Sequence, residues 1–382
     1  MTASGRVAQV SGGVSQSAFD GSRLRVVLLL EVEDGAQQEF LTAYERMCRR
    51  VASTPGHVQD QVCQSVEDPA QWLITSEWES APSFLAWVNS EEHLEMVRPL
   101  RACVRSMRSL RYGIVRETGS GRSEAGAGER PVVPVRVGDG VVRHALTYTV
   151  VPGSEDKVAE ILADHPLPAT GEGDPVRLGR TGLFLHGRRV VQTFELRHLR
   201  GDLLTGLLHL ASLPETRALE EALAPHLERE RNLDEVSAAR EFFTRAALSA
   251  VHHVASSRPA SPRTRRCALA YPARTGSGEA LARLLAGQDD AATADPHGPL
   301  RAATVFHRDD LVVRLVDLDA DPASCPATAV GLADPEAVTA AASLLDTAAL
   351  DLDRPLADDR ALPRLLALAG MRTLADRTAA DL

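Results

Sequence analysis

The residues with chemistry to offer are few and spread out. Period-2 alternation along a strand puts Trp72, Ile74, Ser76 and Trp78 on one face, so two indoles share a wall. Among the histidines, His57 begins a strand, His93 follows two glutamates near a helix break, and His165 ends a helix. An imidazole titrates near working pH and can move a proton, which makes each of these a candidate base. His186 and His307 recur at hairpin turns and read as solvated, and His252-His253 is expected to end a helix as favourable charge near its C-terminus. Neither HxxxH nor HExxH spacing occurs, and Cys48, Cys63, Cys103, Cys267 and Cys325 lack CxxC spacing, so neither a metal site nor a disulfide framework is expected. Gly119-Ser-Gly121 and Gly276-Ser-Gly278 lack the third glycine of a dinucleotide loop, and GxSxG and P-loop spacings are absent. No nicotinamide or flavin is expected.

The elements that position these residues follow from periodicity. Strands are predicted over 25–33, 57–66, 71–78 and 110–116, a helix over 36–53 with Phe40, Tyr44, Met47 and Val51 on one stripe, and a helical segment over 82–105 broken near Asn89-Ser90. That order, β-α-β-β-α-β, is ferredoxin-like. It recurs twice: strand 145–151, helix 154–165, hairpin 180–196 and a long helix 202–231; then strand 266–271, helix 278–287, hairpin 301–318 and helix 335–346. The two later hairpins, RTGLFLHGRRVVQTFEL and RAATVFHRDDLVVRLVDL, can be laid on each other. The expected fold is therefore α+β, three ferredoxin-like units with sheets paired as in a dimeric α/β barrel. A four-stranded sheet with helices on one side leaves its other face bare. The second and third units are expected to cover each other as an internal pseudo-dimer, and the first to pair with itself in a homodimer.

Composition sets the boundaries of the reading. Hydrophobic residues at 44% and charged residues at 25% describe a globular chain, and a net charge of −10 disfavours nucleic acid or an anionic membrane as partner. The longest apolar runs, such as 26–30, are far shorter than a membrane span, and a cytoplasmic location is expected. The expected organisation is a disordered tail over 1–22, a unit over 23–117, a Gly/Ser/Glu linker over 118–143, a unit over 144–254, a linker over 255–264 and a last, degenerate unit over 265–382.

The stretch PGHVQDQVCQSVEDPAQWLITSEWESAPSFLAWVNSEEH, residues 55–93, resembles the antibiotic biosynthesis monooxygenase family. The shared features are Pro-Gly before the second strand, the hairpin, and Trp78-Glu79-Ser80 ahead of a helix. The middle third, from His165 through LFLHGRRVVQTFE and LASLPETRALEEALAPHL to REFF, resembles tetracenomycin-type aromatic polyketide cyclases. The combination resembles the SchA/CurD-like proteins of spore-pigment and pentangular polyphenol pathways.

The first resemblance implies oxidation of an aromatic polyketide by molecular oxygen with no metal or organic cofactor. The protein would supply an apolar pocket, a base and donors for an oxyanion. It implies that Trp78 stacks on the substrate, that His57 is the base, and that Tyr44, Gln64, Trp72, Ile74, Trp87, His93 and Arg98 surround the site. Ile74 stands where quinone-forming members carry asparagine, and Cys63 and Gln64 where they carry an aromatic and a histidine. The second resemblance implies a cyclase site with His165 as base, Arg180 polarising a carbonyl, and Gln192 at the family's hairpin histidine. The leading expectation is a cofactor-independent polyketide monooxygenase, possible synthase components being its partners. A cyclase and a non-catalytic polyketide-binding module are the alternatives.

Overall fold

The computed structural model of the chain describes residues 13–115, 138–197, 199–258, 261–352, 355–356, 358 and 360–378. Residues 1–12 of the expected tail and 118–137 of the expected linker lie outside the described residues. Val14–Ser17 was expected to belong to that tail, but it forms a strand, β1. The N-terminal unit runs β2 (Leu24–Val32), α1 (Gln37–Val51), β3 (His57–Gln64), β4 (Gln71–Trp78), α2 (Ala81–Val88), α3 (Glu91–Ala102) and β5 (Val104–Gly113). Its antiparallel sheet has the order β3-β4-β2-β5. Helix α1 buries Phe40, Ala43, Tyr44, Met47 and Val51, the stripe its spacing predicts. Ser80 and Ser90 accept backbone N–H bonds at the starts of α2 and α3, so the helical segment breaks at Asn89-Ser90 as read. Gly56 turns the chain into β3 with φ +80°, and a Cβ there would sit 2.5 Å from Ser83 Cβ.

The remaining chain builds one larger sheet from two similar halves. The first half runs β6 (Val142–Thr149), α4 (Glu155–Asp164), β7 (Arg177–His186), β8 (Arg189–Arg197), α5 (Leu203–Ser212), α6 (Pro214–Leu223), α7 (Val236–Ala246) and β9 (Ala247–Ala255). The second runs β10 (Arg265–Pro272), α8 (Gly278–Ala294), β11 (Leu300–Arg308), β12 (Leu311–Leu318), α9 (Pro326–Val330), α10 (Pro335–Leu344), α11 (Ala361–Ala369) and β13 (Arg372–Thr378). The strand order is β10-β12-β11-β9-β6-β8-β7-β13, and a bridge from Leu269 to Gly370 brings the ends back together. The fourth strand of each half pairs with the second strand of the other, β9 with β11 and β13 with β7. This reciprocal exchange closes a barrel within one chain. Strand β1 pairs with Val14 opposite Ala255, along the part of β9 that β6 leaves open.

Several sequence expectations change here. The helix predicted over 202–231 is two helices, because Pro214 cannot continue the first and holds Leu213 extended at φ −70°, ψ 143°. His252 and His253 do not end a helix: they lie in β9 and are buried. His253 Nδ1 is 2.9 Å from Thr304 Oγ1. Strand β13 and helix α11 complete the second half and were not anticipated.

The barrel interior is packed with Ala145, Phe184, Val191, Leu248, Ala268, Ala270, Phe306, Val313, Leu315 and Met371. One end carries a charged network: Arg266 donates to Asp317 at 2.8 and 2.7 Å and to Glu195 at 2.8 Å, and Arg180 donates to Asp376 at 2.7 Å. Among the described residues no helix is long and apolar enough to cross a membrane.

Candidate functional site

Each unit has a space between its sheet and its helices, and the three spaces differ. In the N-terminal unit the space is filled. Trp72, Ile74 and Trp78 of β4 pack with Phe40, Tyr44, Phe84 and Trp87, and Trp78 is 1% exposed. Its indole N–H donates to Ser76 Oγ at 2.7 Å, and its ring meets Phe84 and His57 edge-on at 5.7 and 5.2 Å. His57 Nε2 lies 2.9 Å from Asp60 Oδ2, a partner that sequence reading did not single out. Burial, and then the neighbouring Cys48, raises the Tyr44 hydroxyl well above the usual tyrosine range.

The other candidates of this unit are not all brought together. Gln64 donates to the Pro69 carbonyl at 2.9 Å on the exposed hairpin, and Trp72 donates to the same carbonyl at 3.1 Å. Arg98 is exposed on α3. Trp87 and His93 meet edge-on at 5.3 Å, and burial, then Arg101, pushes His93 down to about 4.

In the first half of the barrel the corresponding space is an open chamber. Leu146, Leu178, Leu183 and Phe194 form its floor, and Leu207, Leu210 and Ala211 of α5, Leu219 of α6, and Phe242 and Phe243 of α7 form its roof. Its enclosed cavity is about 70 Å³, and about 780 Å³ is free of atoms when the mouth open to solvent is counted. Six polar side chains reach this apolar lining: His165, Thr181, Gln192, Thr216, Glu220 and Arg231; Arg377 of β13 borders it as well. His165 Nε2 and Thr181 Oγ1 are buried with no hydrogen-bond partner in the chain. Buried polar atoms without a hydrogen-bond partner also occur outside the chamber, at His57, His93, His144 and His252, and it is the convergence of several polar groups on one apolar space that suits a ligand.

Burial, and then the Arg377 guanidinium, lowers the His165 imidazole, while burial raises the Glu220 carboxyl against the opposing pull of Arg231. Arg231 Nη2 donates to Glu220 Oε1 at 2.9 Å, and its guanidinium lies over the Tyr148 and Phe242 rings at 4.4 and 4.8 Å. His165 and Gln192, both expected at a cyclase site, line this one chamber. Arg180 does not join them. A bulge between Leu178 and Arg180 turns it into the barrel, where Asp376 and Asp317 hold it. The places of Glu220 and Arg231 in the lining had no motif to announce them; the LEEAL spacing on α6, with Leu219 and Leu223 buried, reads only as an amphipathic helix.

In the second half the space is plugged. Register equates Gln192 with Arg314, since Phe184 faces Val191 in one hairpin and Phe306 faces Val313 in the other. Arg314 is fully buried and donates to Asp289 Oδ1 at 2.9 and 2.6 Å, and it also reaches the carbonyls of Ala329 and Thr328. Tyr271, equivalent to Tyr148, donates to the Val330 carbonyl at 2.9 Å. The same fold therefore carries one open chamber and one locked core.

Comparison with known proteins adds the lineage. Residues 141–256 match the SchA/CurD like domain and residues 23–99 match antibiotic biosynthesis monooxygenase. The chain is 56% identical to Protein SchA of Streptomyces halstedii, over 99% of both chains. The chain belongs to the SchA/CurD family. Polyketide synthase CurD of Streptomyces cyaneus is 56% identical over 96% of this chain and 98% of its own. Among solved structures, SnoaB, a cofactor-independent oxygenase from Streptomyces nogalater, is 20% identical and covers 25% of this chain and 96% of its own, with a TM-score of 0.24. The SchA/CurD match spans all of the chamber except Ala375 and Arg377, which reach it from β13.

Proposed function

We propose that this SchA/CurD protein acts on an aromatic polyketide in polyketide biosynthesis, and that the chamber of the first barrel half closes a ring of that substrate. The observation that carries the reading is the convergence of His165, Thr181 and Gln192, the first two with a buried polar atom that has no hydrogen-bond partner, on a largely apolar chamber. An apolar slot with a few convergent polar groups suits a flat, carbonyl-rich molecule. His165 is the proton acceptor, its imidazole favoured in the neutral form by burial. Gln192 and Thr181 offer hydrogen bonds to substrate oxygens. Ring closure needs no metal or organic cofactor.

A second reading is supported by the N-terminal unit, where His57, Asp60, Tyr44 and Trp78 lie together. There a deprotonated phenol would take up molecular oxygen, one oxygen atom staying on the ring as a quinone carbonyl and the other leaving as water. The filled helix side of that sheet places this reading second.

Supplying the pathway's poly-β-ketone in air and under argon separates the two. Equal product in both supports ring closure, and oxygen incorporated only in air supports oxidation. Ala211 on α5 is the residue to fill. Ala211→Phe is expected to lower product formation at least tenfold, about 1.4 kcal/mol or more, with a retained far-ultraviolet circular dichroism spectrum. Undiminished turnover in that variant would move the reaction out of the chamber.

We also propose a homodimer, supported by the open sheet of the N-terminal unit. Its bare face shows Leu29 at 41% and Tyr112 at 52% exposure, and β3 and β5 are its edges. The pairing would be face to face, since the outer edge of β5 is engaged within the chain, Ser109 N–H donating to Asp202 Oδ2 at 3.2 Å. Sedimentation should give twice the chain mass, and Leu110→Arg should return it to one; a wild-type monomer at tens of micromolar would exclude this pairing.

A further inference from the structure

Glu220 shares the chamber with His165, and the ring-closing reading gives it no role. We infer that Glu220 is the proton donor of the closure, fixed in place by Arg231, and that His165 and Glu220 form an acceptor and donor pair across one substrate. This rests on the chamber being the substrate site.

The geometry comes first. Thr216, Leu219 and Glu220 lie three and four residues apart on α6 and present one face to the chamber. Arg231 Nη2 donates to Glu220 Oε1 at 2.9 Å, while Oε2 lies against Nε without a hydrogen bond and is left to carry a proton. The rings of Tyr148 and Phe242 in turn hold the guanidinium, so the carboxyl is set in one orientation by groups that themselves cannot swing. A surface ion pair needs no such mounting, and Arg231 is almost entirely buried. The second half shows what a purely structural ion pair looks like, at the position equivalent to Gln192: Arg314 and Asp289 are both fully buried.

The electrostatics agree. The titratable groups that line the chamber with Glu220 are Arg231 ahead of α7, His165 after α4 and Arg377 on β13, with Tyr148 of β6 under the Arg231 guanidinium, while α5 and α7 turn Leu210, Phe242 and Phe243 toward the space. Burial raises the carboxyl and lowers the imidazole, so each is drawn toward its uncharged form. An uncharged imidazole accepts a proton and an uncharged carboxyl gives one.

The step balances without a further reagent. His165 takes a proton from a methylene between two carbonyls, and that C–H pair becomes the new C–C bond. The carbonyl under attack breaks its π bond onto oxygen, which takes the Glu220 proton and becomes a hydroxyl. The imidazolium then returns its proton through water to the carboxylate, and the product is an isomer of the open chain.

The test uses a synthetic poly-β-ketone thioester for closure and alizarin, a flat hydroxylated tricycle, for binding. Glu220→Gln keeps the shape and an acceptor for Arg231 but cannot supply an acidic proton. Closure by this variant is expected to fall at least about a hundredfold, with alizarin affinity within about twofold of wild type, and Glu220→Asp should recover part of the loss. The wild-type rate should fall on the alkaline side as Glu220 ionises and on the acid side as His165 gains its proton. In Glu220→Gln the alkaline limb disappears. A Glu220→Gln variant with the wild-type rate and both limbs overturns the donor role and leaves the chamber standing. A wild-type protein that neither binds alizarin nor closes the thioester overturns both readings. A wild-type rate that is flat into alkali overturns the donor role even if the variant fails to fold.

Discussion

Asp289→Ala should cost the barrel about 3–5 kcal/mol, because it strands the Arg314 guanidinium in a core that offers it no other carboxylate. Both side chains are fully buried, and the carbonyls of Ala329 and Thr328 can hydrogen-bond the cation but cannot neutralise it. A loss of that size is a large fraction of ordinary domain stability. Replacing both members, as in Asp289→Leu with Arg314→Met, removes the charge together with its partner and should recover most of it. All three tryptophans, Trp72, Trp78 and Trp87, lie in the N-terminal unit. In urea, then, circular dichroism should show the barrel transition of Asp289→Ala moving to lower denaturant, while the tryptophan fluorescence transition keeps its midpoint. Unchanged circular dichroism curves would mean the pair is not what holds α9 on the sheet.

Trp78→Ala should produce the complementary result. An indole that is 1% exposed and wedged between His57 and Phe84 leaves a large cavity, and such truncations cost about 3–5 kcal/mol. Here fluorescence from Trp72 and Trp87 should shift to lower urea, with the barrel transition unmoved. Ring closure in the chamber should persist in conditions where the fold is intact. If closure is lost in a folded Trp78→Ala protein, the N-terminal unit takes part in the chemistry.

The order of elements was legible because hairpins and amphipathic helices leave a periodic trace. The hairpins 180–196 and 301–318 showed the repeat, and α1 showed its stripe directly. Strand β9 was hidden for a physical reason. Its sequence, ALSAVHHVA, faces packed surroundings on both sides of a barrel wall, so it lacks the alternation that marks a half-buried strand. Strand β13, RTLADRT, is polar enough to pass for a tail, and it earns its place only by pairing with β7 across nearly two hundred residues of chain.

The candidate site was legible in halves. His165 and Gln192 could be placed together because helix end and hairpin fix them relative to one another. Arg180 could not be placed, since a single bulge decides which side of the sheet an arginine takes, and bulges have no reliable signature in sequence. Glu220 and Arg231 meet across eleven residues of chain through a change of direction after α6, a contact that spacing alone does not reveal.

The strand exchange that closes the barrel has a consequence for how the molecule responds to dilution. Two separate subunits joined in this way would part as their concentration fell. Joined by a tether, the halves face each other at an effective concentration that dilution cannot change. Neither half then has to be identical to its partner for assembly to succeed, and a mutation that fills one chamber need not fill the other. That freedom accounts for an open chamber and a locked core on the same scaffold, a division of labour that a symmetric pair of identical subunits cannot adopt.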